Sequence, residues 1–395
     1  MIRLGVYLTL PDGEQVLAGE ALFEDGRAAF RYDPAYLDHP KAVPLDPVSL
    51  PLQEPPFELD RPHEVSSIFQ DALPDAWGRR LLLRRAGLRS HRHMLPELLR
   101  ALGGQGLGAL SFAEEGEPPP VDPLPGLPDL PQLTAAAERF DEGETISDAE
   151  LLPLLQAGSS AGGARPKVLL LDKGNPVIAK FSRRSDHYAM VPLEAATMDL
   201  ARKAGIPAAP VRVERVGERG ALLVERFDVT PQGGRRHMVS FRTLLRGADW
   251  SRFGYQDLFE VLSRVSAQPE VDLPLLYRQT VFNFVVGNTD DHVKNFCMVC
   301  DEAGYRLSPA YDLLPNVAGD VEHDLHLRFS YVCPGRKAFL EFGQRYGVTR
   351  PDRIVDAVIA AVARFPEVLR TWSVPERDIE RLWPMVRRTI DDLRA

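Results

Sequence analysis

The sequence predicts an α+β chain in two lobes, with an additional β-rich module at its N-terminus and an all-α lobe at its C-terminus. Three observations predict it: hairpin signals crowd the first 32 residues, a strand–strand–helix–strand–strand series spans 168–227, and helical periodicity takes over from about Ser240. At 395 residues, two or three domains are expected. The spans read as 1–112 for the N-terminal module, 113–140 for a proline-rich linker, 141–230 for the β-containing lobe and 231–395 for the helical lobe.

Each element has a local cause. Val6–Leu10 alternates and stops at Pro11-Asp12-Gly13, while Glu20–Phe23 and Arg27–Tyr32 flank the turn Glu24-Asp25-Gly26. Ser67–Leu73 is helical up to Pro74, and Asp75 caps a second helix through Trp77 and Leu81–Leu83. That helix carries Arg79, Arg80, Arg84 and Arg85, with Arg89, His91, Arg92 and His93 beyond it. These residues offer a face for an anion or a partner; the plainer reading is an exposed face whose arginines pair with acids. Gly116–Pro131 holds seven prolines and is expected to form no regular element. Asp148–Leu155 is a short helix, Val168–Leu171 and Val177–Phe181 form a hairpin, and residues 192–204 are helical with Gly205 and Pro207 beyond. Val211–Val216 and Ala221–Phe227 make another hairpin.

Composition bounds the chemistry. The balance of 47 basic and 56 acidic side chains gives −9, so nucleic acid would be met through a local patch or a partner. Three cysteines argue against a disulfide scaffold. No signal peptide is read at the N-terminus, and no apolar run nears the roughly 18 residues of a membrane span, so a cytoplasmic protein is expected.

The most informative stretch is Phe282–Phe296, where an apolar segment breaks into Asn288-Thr289-Asp290-Asp291-His292-Val293-Lys294-Asn295 and then resumes. Charges between buried flanks face a cavity, because they are not buried unpaired. Seventeen residues after Asn295, Leu307–Asp312 brings a further carboxylate to the end of an apolar run. Phosphoryl transfer to a hydroxyl needs such a set: one carboxylate takes the hydroxyl proton, while an amide oxygen and a second carboxylate hold Mg²⁺ against the phosphates. In this spacing Asp290 is the base and Asn295 and Asp312 are the metal ligands; Lys294 neutralises the phosphoryl group, and Asp291, one residue out of step, is expected to be exposed. Singly, Asn-Thr-Asp is also a helix cap and Tyr-Asp a turn.

The segment before Val168 is glycine-rich and can lay backbone N–H groups over phosphates, although it is no Walker A loop. Lys180, central in its strand, reaches the α/β-phosphates when Glu194 holds it as an ion pair, and Glu225-Arg226-Phe227 offers backbone groups to an adenine. Cys297-Met298-Val299-Cys300 has no second pair and reads as buried small hydrophobes rather than a zinc site.

Asn288–Asn295, Leu307–Asp312, Ser160–Lys167, Val224–Asp228 and Leu73–Arg79 together resemble the HipA family, bacterial serine/threonine kinase toxins of HipBA-type toxin–antitoxin modules. The resemblance spans nearly the whole chain in order. It implies a distant protein-kinase-like fold using ATP and Mg²⁺, and supports the roles given to Asp290, Asn295, Asp312 and Lys180. It further implies that Ala161, Gly162, Gly163, Ala164, Arg165, Pro166 and Lys167, with Glu225, Arg226 and Phe227, line the nucleotide site, and that His292 and Lys294 lie beside the phosphates. Autophosphorylation in the family falls on a glycine-loop serine, here Ser160, with Ser159 next to it. The family's partners are a HipB-like helix-turn-helix antitoxin and, through it, operator DNA; its substrates include aminoacyl-tRNA synthetases. One departure is Pro166, near which a polar or acidic residue is expected. A catalytically silent subunit of a repressor complex and a small-molecule kinase are the alternative readings.

Overall fold

The computed structural model describes every residue except 25–26, 60–65, 89–94, 145, 159–164, 218 and 247–252. The chain divides into two compact units. The first comprises Met1–Arg183, Glu214–Arg246 and Val299–Gly304; the second comprises Arg184–Val213, Gly247–Met298 and Tyr305–Ala395.

The first unit begins with an antiparallel sheet of β1 (Ile2–Thr9), β2 (Gln15–Glu24), β3 (Arg27–Tyr32), β4 (Phe57–Leu59) and β5 (Leu110–Glu114), in the order β4-β3-β2-β1-β5. The hairpin register pairs Leu4 with Ala21 and Ala21 with Phe30, so buried residues face one side. At Gly19 a side chain would lie 2.2 Å from the Arg31 carbonyl oxygen, so only glycine lets β2 and β3 approach.

A second sheet takes β6 (Lys167–Asp172), β7 (Asn175–Phe181), β8 (Val211–Val216) and β9 (Arg219–Glu225), in the order β6-β7-β9-β8. Val168, Leu170, Val177, Ala179, Phe181, Ala221 and Leu223 turn one face into a core shared with Trp77 and Leu81 of the helix Ala76–Arg85. Leu133 and Ala137 of the helix Leu130–Asp141 and Leu154 of the helix Asp148–Gly158 complete that core. The alternation of β7 therefore puts Lys180 on the opposite face.

This packing corrects the expectation of a linker over 113–140. Leu127–Asp129 is a 3-10 turn that leads into the helix Leu130–Asp141, and the backbone is tied down on both sides: Gly104 N–H donates to Pro120 O (2.9 Å) and Leu171 N–H to Pro125 O (2.8 Å). Prolines read as breakers here sit at the start of each element, where no backbone N–H is required. The arginines of the preceding helix follow the plainer reading where pairs are formed: Arg80 meets Asp141 and Arg85 meets Asp122, both at 2.7 Å. Arg89, His91, Arg92 and His93 lie outside the described residues.

β10 (Met238–Ser240) pairs with β11 (Cys297–Asp301), which forms a hairpin with β12 (Gly304–Leu307). Cys297 and Cys300 are buried free thiols, and burial pushes the Cys300 thiol up to about 12, which suits a packing role.

The second unit is helical: Met190–Lys203, Tyr255–Val265, Pro269–Val286, Arg336–Arg345, Pro351–Val362, Phe365–Thr371 and Glu376–Arg394. Pro269–Val286 is its central helix, buried on almost every side from Leu276 onward, as an all-round apolar helix must be. Met190–Lys203 packs with the C-terminal helices, where Trp372 Nε1 donates to Asp199 (3.0 Å) and Ala189 N–H to Asp378 (2.9 Å). Among the described residues no helix is long and apolar enough to cross a membrane.

Leu133→Ala should lower stability by about 2–5 kcal/mol, because it empties a closed core position. Urea unfolding of the full chain measures this; a shift below about 0.5 kcal/mol would mean that 130–141 packs against nothing.

Candidate active site

The central helix Pro269–Val286 ends at Gly287, whose φ of +73° is the left-handed closure glycine adopts cheaply. A side chain there would come within 2.9 Å of Met385 Cε, the flexible end of that side chain, so it is the left-handed backbone that favours glycine. The chain leaves the helix as a tight turn. Asn288 N–H donates to Asn283 O (2.8 Å), and Asn288 Nδ2 to Asn283 Oδ1 (3.2 Å).

Asp290 stands outward from this turn, with 78% of its side chain exposed. His292 Nε2 lies 3.6 Å from its Oδ1. A 3-10 turn, Val293–Asn295, folds the chain back so that Asn295 Nδ2 donates to Asp290 O (2.7 Å). That bond uses the nitrogen end of the amide and leaves Oδ1, the end a cation needs, uncommitted to it.

Asp312 is presented from the other side of the hairpin. Tyr311 Oη donates to Lys294 O (2.8 Å), fastening this segment to the turn, while Ala209 N–H donates to Ala310 O (3.0 Å) and Ala310 N–H to Pro207 O (2.7 Å). Asp312 itself has φ +56°, an uncommon conformation for a residue with a side chain and one that recurs at functional sites.

Several influences act on the Asp290 carboxyl. Burial among its surroundings raises it, His292 pulls it back, and the charges of Asp312, Asp324 and Asp291 raise it further, leaving it above the ordinary aspartate range. With the side chain so open, the neighbouring carboxylates carry more weight than lost hydration.

Asp291 corrects an expectation. It is fully buried, not exposed. Tyr255 Oη donates to its Oδ2, His323 Nδ1 lies 3.1 Å from the same oxygen, and Leu325 N–H donates to Oδ1 (3.2 Å). Asn283 Nδ2 in turn donates to Tyr255 Oη (3.0 Å), and Asp324 N–H donates to Thr289 O (3.1 Å). Sequence reading missed Tyr255, Asn283, His323 and Asp324. Asn283, between Phe282 and Phe284 in an apolar run, was the available signal, because a buried amide demands partners.

In the first unit, Lys167 and Lys180 are direct cross-strand partners of β6 and β7, on the face turned away from the aliphatic core. Lys167 is buried and Lys180 half-buried. Phe181 N–H donates to Pro166 O (3.0 Å), extending the hairpin by one residue; Pro166 has no N–H to give to an anion. Arg165 forms the bend before it. Ser159, Ser160, Ala161, Gly162, Gly163 and Ala164 lie outside the described residues. Glu225 ends β9 and is exposed, whereas Arg226 is buried in a two-bond pair with Asp228, which also accepts from Gly108 N–H (2.7 Å). Burial opposes ionisation of Asp228, and Arg226 with Arg235 more than offsets it, holding the carboxyl below its usual range. The Arg226 side chain is thus engaged inside its own unit. Glu194, on the helix Met190–Lys203 of the second unit, is buried.

An open carboxylate, an amide and a second carboxylate on adjoining turns are the kind of set that phosphoryl transfer uses, and comparison with known proteins gives the family. Residues 159–368 match the HipA-like C-terminal domain, and residues 13–113 the HipA N-terminal domain. The chain belongs to the HipA family. It is 30% identical over 386 residues to the Sinorhizobium fredii protein named "Putative kinase Y4mE", covering 87% of each chain. It is 27% identical over 289 residues to the serine/threonine-protein kinase toxin HipA of Shewanella oneidensis, covering 64% of this chain and 63% of that one. In fold it matches a chain of the Shewanella oneidensis MR-1 complex of HipA, HipB and operator DNA, with a TM-score of 0.72 at 20% identity over 99% of this chain and 95% of that one. The fold is therefore the α+β, kinase-like fold of that family.

Asp324→Asn should lower the Asp290 pKa, since one of the negative neighbours raising it is removed. Carboxyl-carbon NMR titration of the metal-free protein reads this; an unmoved Asp290 would show that its neighbours do not govern it.

Proposed function

We propose that this chain is an ATP- and Mg²⁺-dependent protein serine/threonine kinase, the toxin of a toxin–antitoxin pair. The observation that carries the reading is the joined set in the second unit: Asp290 open to solvent, Asn295 bonded to its carbonyl, and Asp312 close enough for its charge to act on Asp290. Asp290 takes the proton of the acceptor hydroxyl at a carboxylate oxygen, which its raised affinity for protons assists. Asn295 Oδ1 and the Asp312 carboxylate form an all-oxygen donor set that fits Mg²⁺. When bound, that ion supplies charge neutralisation at the phosphates. Lys167 and Lys180, with Lys294 and His292, are assigned to the phosphate groups, and the backbone of Arg165–Lys167 and Glu225–Phe227 to the nucleotide.

Ser160, or Ser159 beside it, is the proposed site of autophosphorylation. Family membership supports a HipB-like antitoxin as partner and an aminoacyl-tRNA synthetase as substrate in the cytoplasm. A net charge of −9 suits a chain that reaches operator DNA through that antitoxin rather than alone.

Radiolabelled ATP with and without Mg²⁺ tests the reading. The wild-type chain should label protein only with Mg²⁺, and a folded Asp290→Ala should lose roughly 10²–10⁴ in rate and fail to arrest growth. No labelling by the wild type would leave a silent subunit, label in a metabolite alone would make it a small-molecule kinase, and full activity of Asp290→Ala would remove the base.

A further inference from the structure

Among the described residues the outward carboxylate of Asp290 meets only His292 of its own turn, so its direction is set by the backbone on which it stands. That backbone is gripped at Asn288, at Thr289 and, from inside, at Asp291. We propose that Asp291 is a positioning residue for phosphoryl transfer: its buried carboxylate locks the turn so that Asp290, one residue earlier and on the opposite side, faces the acceptor hydroxyl. The assignment rests on the kinase reading given above.

Three features carry it. Asp291 has no exposed surface, so each of its bonds holds against protein alone. A carboxylate only accepts, and its three donors come from three places: Tyr255 at the start of the helix Tyr255–Val265, His323, and the Leu325 backbone. Tyr255 is itself held by Asn283 of the central helix, and Asn283 also accepts from Asn288, so the network closes on the turn it supports. Adjacent residues in the extended turn point to opposite sides, and a rotation that freed Asp291 would swing Asp290 away. The neighbouring strap, Asp324 N–H to Thr289 O, is in series with Leu325 N–H to Asp291 Oδ1, so the loop 323–325 moves with the base or not at all.

The test is steady-state phosphotransfer by the full chain, with ATP-binding stoichiometry measured on the same samples. Asp291→Ala should still bind one ATP per chain at unchanged KM for ATP, while kcat falls on the order of 10²-fold, the cost of a misplaced reacting group. Asp291→Asn, which keeps Oδ1 for Leu325 N–H, should fall less. A merely structural role would instead reduce the binding stoichiometry in step with kcat. Equal kcat in wild type and Asp291→Ala, or a parallel loss of bound ATP, overturns the assignment. Should Asp291→Ala not fold, Tyr255→Phe decides: kcat lowered at unchanged KM and stoichiometry supports the proposal, and unchanged kcat overturns it. An inactive wild type would remove the kinase reading instead, so the two failures are distinguishable.

Discussion

An ionised carboxylate withdrawn from water costs several kcal/mol unless the protein replaces its hydration, and Asp291 sits with no exposed surface in the middle of the second unit. The replacement comes from Tyr255, His323 and the Leu325 backbone, which arrive from segments that only the folded unit brings together. The arrangement is cooperative. Each donor removed leaves the carboxylate short of one partner, and with all three present the turn that follows the central helix is held from three sides. The helix itself can end there only because Gly287 takes a left-handed conformation under Met385.

The openness of Asp290 follows from the same constraint. Neighbouring residues divide the labour: one side chain is spent on holding the turn, the next on meeting what arrives from solvent. The surrounding carboxylates of Asp312 and Asp324 then have a double effect. They make Asp290 a better proton acceptor, and together they make the locality repulsive until a cation is present. On the proposed function, a divalent ion held there would relieve that charge.

Much of this was legible beforehand. The hairpins of β1–β3 and β6–β7, the helix ending before Gly205, and the run from Asn288 to Asn295 all follow from local turn chemistry and periodicity, which act over a few residues. What could not be read was long-range. Asp291 looked like the exposed member of its pair because Tyr255, His323 and Leu325 lie 36, 32 and 34 residues away, beyond any local pattern. The proline-rich stretch misled for the converse reason: a composition that usually breaks structure happened to place its prolines where a helix begins. The glycine-rich segment itself, the weakest of the motifs, falls outside the described residues.

The backbone at Asp312 has a last consequence. At φ +56° a glycine would sit more comfortably by about 1 kcal/mol, so this position sets folding comfort against chemistry. Glycine there would relax the backbone but would remove the carboxylate together with its interactions and the effect of its charge on Asp290. Keeping an aspartate at this bend therefore means tolerating a strained backbone for the sake of its side chain.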